Sequence, residues 1–309
     1  ETSVAVLWMV AAVTAFVYQR DGWMAVFAAL GVLTRVDALL WAGLLLLHHW
    51  LIFWRAQTRP GVGLIQRIPW RTWGIFAALL IPWHLFSWRY FGVLVTSPVG
   101  AKRVVYQVDG LQALTRLLQH YATPFFESET LGVPAIAVGI VLYPALAAIG
   151  LFYVAKRAPR LAPLAIYPWV YLFVFSAMNP LIFRWYLVPP LPAYLLSILI
   201  GVWALIDALT RGRRVTAGLA VAGAVWLALS LNAWVLRPDH GPDRPAPEMA
   251  WHKLELLYQE VGEQIRATEG VDQTTLVAAG DIGAIGYYSE ARILDTIGLV
   301  TPEMTAYYP

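Results

Sequence analysis

Residues Leu131–Ala155 read LGVPAIAVGIVLYPALAAIGLFYVA, with no charged side chain anywhere in the run. A helix rises about 1.5 Å per residue, and about 20 mostly apolar residues cross the hydrocarbon of a bilayer. This stretch is long enough, and it decides the fold class. Seven further runs have a similar character: Thr2–Tyr18, Trp23–Thr34, Ala38–Trp54, Trp73–Val95, Leu161–Met178, Trp185–Leu209 and Thr216–Leu236. The expectation is an all-α, polytopic membrane helix bundle with about eight spans. The second run is short, so it is expected to be tilted or partly re-entrant. Joining Trp23–Trp54 into one helix would place Arg35 and Asp37 in hydrocarbon, at about 2.5–3.5 kcal/mol each. Two segments meeting at a turn over Thr34–Asp37 cost less.

The composition agrees. Of the 309 residues 59% are apolar and 13% charged, half the charge that coats an ordinary soluble domain. That excludes a disordered chain and a single soluble domain. Fifteen Trp and fifteen Tyr suit the aromatic belts of a membrane interface. With no cysteine, disulfides and thiolate metal sites are excluded. The net charge of +3 conceals a split: residues 1–236 carry +10 and residues 237–309 carry −7. Two domains are expected at that boundary, a membrane bundle over 1–236 and an acidic α/β segment over 237–309.

Basic residues set the orientation. One set of connections holds Arg20, Arg55, Arg59, Arg67, Arg71, Lys156, Arg157, Arg160, Arg211, Arg213 and Arg214. The opposite set holds only Arg35, Lys102, Arg103, Arg116 and Arg184. The first set is expected in the cytoplasm, which puts the Thr96–Thr130 loop and the tail outside it, on a bacterial cytoplasmic membrane. The chain opens inside an apolar helix and stops without a recognisable ending, so a fragment truncated at both ends is expected. In the tail, RPDHGPDRPAPE (237–248) reads as a linker. Leu254, Leu257, Val261 and Ile265 fall on one helical face, and TTLVAA and ARILDTIGL read as strands flanking a short helix. The run is too small for a complete independent core. GDIGAIG (280–286) departs from the G-x-G-x-x-G spacing, and no full βαβ sheet fits, so tight strand–helix packing with Asp281 as N-cap is the reading. No metal-ligand spacing is present, and nothing suggests nucleic acid.

Glu1, Arg35, Asp37, Lys102, Arg103 and Arg184 all map to the outer ends of helices. Cations there suit a lipid-linked phosphate, and carboxylates suit sugar hydroxyls. Each also has an ordinary role: Asp37 complements a helix N-terminus, Arg35 neutralises it, and Arg184 with Trp185 and Tyr186 is a normal interfacial anchor.

Four segments in order carry a resemblance. These are Glu1-Thr2 followed by LTRVDALLW (33–41), RYFGVLVTSPVGAK (89–102), FRWYLVPPLPAYLL (183–196) and VAAGDIGAIGYYSEARILDTIGLVTPE (277–303). Together they resemble the bacterial polytopic glycosyltransferases of the GT-C superfamily. The nearest groups are the mycobacterial terminal arabinofuranosyltransferase and the dolichyl-phosphate-mannose-type mannosyltransferases. The resemblance implies transfer of a sugar from a polyprenyl-phosphate donor to a glycan, lipid or protein acceptor of the cell envelope, with inversion. It implies a catalytic aspartate upstream of Glu1, and binding roles for Glu1, Arg35, Asp37, Lys102, Arg184 and Tyr186. Asp281, Tyr287 and Tyr288 are tail candidates. No cofactor is required by such chemistry, although a divalent cation could assist. Here Asp37 stands where the family has Glu, and the loop lacks the family's Asn. Readings from other classes are a secondary transporter or lipid flippase, whose midplane charges and repeats are not visible here, and a non-catalytic membrane assembly protein.

Overall fold

The computed structural model describes residues 2–57, 63–94, 97–125, 131–178, 184–209, 217–218, 221, 223–225, 227–228 and 250–308. The chain divides into two compact units. One comprises Glu1–Leu94 with Val108–Ala233, the other Val95–Gln107 with Trp234–Pro309.

The first unit is helical. Helices α1 (Thr2–Val17) and α2 (Asp21–Thr34) form a hairpin across a three-residue turn, in which Gln19 takes a left-handed φ of 59°. Arg160 fastens this turn by donating to the Val17 carbonyl at 3.1 Å. Small side chains let the two helices approach: Ala5, Ala12, Ala25, Ala28 and Ala29 are all buried. The chain then breaks as the charges require. Arg35 is extended, Val36–Ala38 forms one 3-10 turn, and α3 runs over Leu39–Ala56. Helix α4 (Trp70–Phe91) ends at Gly92, whose φ of 73° is the left-handed cap that glycine tolerates.

Four segments among the described residues are long and apolar enough to cross a membrane: Val36–Ala56, Val133–Arg157, Pro159–Met178 and Leu191–Ala208. The chain is therefore a helical, multi-pass membrane protein, with four such spans described rather than the eight expected. The reasons are physical. Helix α1 has 16 residues and α2 has 14, lengths of about 24 and 21 Å that fall short of the hydrocarbon thickness. Helix α4 is long but carries Arg71, His84, Arg89 and an interior Pro82. The run Thr216–Leu236 lies mostly outside the described residues.

The loop expected over Thr96–Thr130 contains two helices. Helix α5 (Ser97–Val105) takes Pro98 in its first turn, where proline's missing N–H is harmless. Helix α6 (Gly110–Ala122) is capped by Asp109, which accepts from the Leu111 and Gln112 amides. Its buried residues, Ala113, Leu117 and Tyr121, recur every four positions. That stripe packs against α7 (Val133–Arg157) and α8 (Ala162–Met178). The Tyr121 hydroxyl donates to the Pro168 carbonyl at 2.9 Å, and the Tyr194 hydroxyl donates to the Tyr121 carbonyl at 3.0 Å. Helix α9 (Leu191–Leu209) lies against α7.

The second unit joins α5 to the tail. Helix α10 (Ala250–Ala267) packs on α11 (Ile282–Ser289). Strands β1 (Leu276–Ala279) and β2 (Arg292–Asp295) pair in parallel, Leu276 opposite Arg292 and Ala279 opposite Asp295, with α11 as the crossover. Leu257 lies exposed on α10, and Gly262 takes the contact instead. A Cβ on Gly262 would lie 2.8 Å from Tyr288 Cβ. Gly286 lies similarly close to Ile293 of β2, the tight helix–strand packing expected of GDIGAIG. Asp295, fully buried, closes the following loop by accepting from the amides of Ile297 and Val300 at 2.9 and 2.7 Å.

Candidate functional site

The break between α2 and α3 places a charged pair inside the first unit. Arg35 donates through Nε and Nη2 to the two Asp37 oxygens at 2.9 and 3.0 Å, a bidentate fork. Its Nη1 donates to Thr2 Oγ1 of α1 at 3.0 Å. The Arg35 and Asp37 side chains are only 7% and 10% exposed. Tyr171 of α8 donates to Asp37 Oδ2 at 3.2 Å and shares the same hydroxyl proton with the Tyr186 carbonyl. The Arg35 guanidinium lies 5.3 Å from the centre of the Tyr186 ring, within cation–π range. Phe175 stacks on Tyr171, with ring centres 4.2 Å apart.

The extended backbone at Arg35 swings its side chain back over Asp37, two residues on. Tyr186 lies within a single helical turn, Arg184–Leu187. Ala5, Met9, Ala38, Trp41 and Pro189 pack around the pair. One cation and one anion thus neutralise each other in a desolvated setting. A paired guanidinium positions neighbouring elements and presents little net charge to a ligand. The cluster ties α1, the α2–α3 break, α8 and the turn at Tyr186 together.

The structure therefore unites Arg35, Asp37 and Tyr186 from the sequence candidates. Glu1 lies outside the described residues. Arg184 begins its helical turn, and its side chain is outside the described residues too. Lys102 and Asp281 belong to the second unit. Lys102 is half-buried on α5. Asp281 holds the N-cap position of α11 but caps nothing with its side chain. It hydrogen-bonds Tyr258 of α10 instead, and the Tyr258 phenol is raised by desolvation and by that carboxylate. Tyr106, just past α5, is raised by burial first and then by Asp281. Tyr287 is exposed and edge-on to Tyr288.

Thr2 and Tyr171 are members of the cluster that the sequence reading did not single out. Tyr171 had a usable signal: a phenol inside an apolar span needs an acceptor. Among the described residues no group of three or more metal-ligand side chains is placed to hold an ion.

Residues 248–309 match the family model of a domain of unknown function, DUF8728. No curated protein and no solved structure matches the chain.

Proposed function

We propose that the chain forms part of a membrane glycosyltransferase of the GT-C kind, which moves a sugar from a polyprenyl-phosphate donor to a cell-envelope acceptor. The reaction face is extracytoplasmic, on a bacterial cytoplasmic membrane. The observation that supports this reading is that two of the resembling segments meet in space. LTRVDALLW meets FRWYLVPPLPAYLL through Arg35 and Tyr186, some 150 residues apart. SPVGAK and GDIGAIGYY fall in one unit.

The chemistry needs cations beyond the Arg35–Asp37 pair. As the bond between the anomeric carbon and the phosphate oxygen breaks, negative charge grows on the leaving phosphate. Preorganised cations stabilise that charge best at the edge of a low-dielectric region. The sequence resemblance alone, and not their placement, assigns this task to Lys102 and Arg184. The Arg35–Asp37 pair is assigned a positioning role, holding the helix break and Tyr186 in place. The apolar helices accommodate the prenyl chain.

With the complete protein and a polyprenyl-phosphate sugar, Lys102→Ala and Arg184→Ala should each lower donor kcat/KM by about 100-fold, leaving the KM for the acceptor unchanged. Unchanged donor kinetics in both variants would overturn the assignment.

A further inference from the structure

The first unit holds a second, separate feature. His49 lies ten residues into α3 from Leu39, about 15 Å along the helix axis from the end that follows Asp37. There the α1–α2 turn, the first turns of α2 and α4, and the last part of α3 line an open cleft of about 680 Å³, within the size range of ligand pockets. Its walls include Arg20, Asp21, Trp23, His49, Trp70 and Arg71. Neither Arg20 nor Arg71 has a side-chain hydrogen bond or ion pair among the described residues. Asp21 does have one: His49 Nε2 sits 3.3 Å from its Oδ2. It also lies in the first turn of α2, where the helix dipole favours an anion. His49 itself is 5% exposed, and its Nδ1 is buried without a partner. Trp23 and Trp70 are 60% and 58% exposed, as suits indoles at the level of lipid headgroups.

These features converge on one ligand chemistry. Two unpaired guanidiniums outweigh one carboxylate that is already engaged. The helices α2 and α4 both begin at the cleft, and neither has a side-chain cap, so their positive ends add to the field. Guanidinium matches phosphate in geometry. The aromatic and aliphatic wall, with Phe53 and Ile75, suits the glycerol and first methylenes behind a headgroup.

We propose that this cleft binds a phosphate group, carried by an anionic phospholipid of the surrounding membrane. The site is distinct from the Arg35–Asp37 cluster and does not depend on the glycosyltransferase reading. The cations grip the phosphate, the indoles hold the interfacial depth, and the bound lipid fastens α4 to the α1–α2 hairpin.

Native mass spectrometry of the complete protein in detergent tests this, with dioleoyl phosphatidic acid, dioleoyl phosphatidylcholine and inorganic phosphate as probes. Phosphatidic acid should be retained about tenfold more tightly than phosphatidylcholine. The Arg20→Gln, Arg71→Gln double variant should lose that preference, and Arg20→Lys, Arg71→Lys should keep part of it. Both side chains are exposed, so the fold should survive, as circular dichroism would register. Millimolar inorganic phosphate that displaces the lipid would identify the headgroup as sufficient and a soluble phosphate as an equal ligand. Failure to displace it would identify the lipid as the ligand. Equal retention of the two lipids by the parent protein, or a preference unchanged in the Gln double variant, would overturn the proposal.

Discussion

Asp37→Ala should destabilise the membrane unit by about 3–5 kcal/mol, because it leaves a buried guanidinium without its counter-ion. Arg35 is 7% exposed on its side chain, and two of its donors end on Asp37. Removing the acceptor strands that charge where water cannot reach it. Arg35→Ala should cost a similar amount, since it strands a carboxylate that is 10% exposed. The double variant Arg35→Met, Asp37→Leu should recover most of the loss, because an apolar pair of similar volume removes the desolvation penalty of both ions. Thermal unfolding in detergent, arranged as a double-mutant cycle, measures this directly. Additive losses would show that the two side chains act independently and would contradict the lock described here. Tyr171→Phe removes one donor and should cost only about 1 kcal/mol.

A second large effect is expected where α7 meets α9. A Cβ on Gly150 would fall 1.9 Å from the Ser197 carbonyl oxygen, and one on Gly201 would fall 1.9 Å from the Leu146 carbonyl oxygen. Backbone faces backbone at both positions, so no side chain can turn aside to make room. Close approach through small residues is how helices associate where lipid removes the hydrophobic drive. Gly150→Val should therefore push the helices apart and cost about 3 kcal/mol, and Gly201→Val should match it. Gly43→Ala is the control. Nothing lies within 4 Å of its would-be Cβ, and alanine there should be neutral or should stabilise α3 by up to about 1 kcal/mol. Equal behaviour at Gly43 and Gly150 would contradict the interface.

Much of this was legible because membrane helices declare themselves through length and charge. The runs around Leu131–Ala155, Leu161–Met178 and Trp185–Leu209 coincide with spanning helices. The charges of Arg35 and Asp37 marked the helix break. Other features were set by contacts between distant residues. Helix α6 carries its own signals, Asp109 as a cap and Ala113, Leu117 and Tyr121 at fourfold spacing, but a loop reading passed over them. That α5 belongs with the tail follows from packing against residues 302–307, which no local pattern encodes. On α10 the apolar stripe pointed to Leu257, whereas the contact surface is at Gly262, because the crossing with α11 needs a residue without a side chain. The pairing of Arg35 with Asp37 could be read from two letters with one between them. The reach to Thr2, Tyr171 and Tyr186 could not.

The proposed function requires an orientation: the Arg35–Asp37 end of the bundle is proposed to face outside and the Arg20–Arg71 end the cytoplasm, and the acidic tail is separately proposed to lie outside. The 309 residues contain no cysteine, so single introduced thiols report on this directly. Val133→Cys and Tyr287→Cys are expected to react with a membrane-impermeant maleimide on intact cells. Tyr18→Cys and Ile65→Cys are expected to react only after permeabilisation. All four positions are more than 70% exposed on the protein surface, so packing within the protein does not block the reagent. Labelling of Tyr18→Cys and Ile65→Cys on intact cells, with Val133→Cys and Tyr287→Cys protected, would contradict the account.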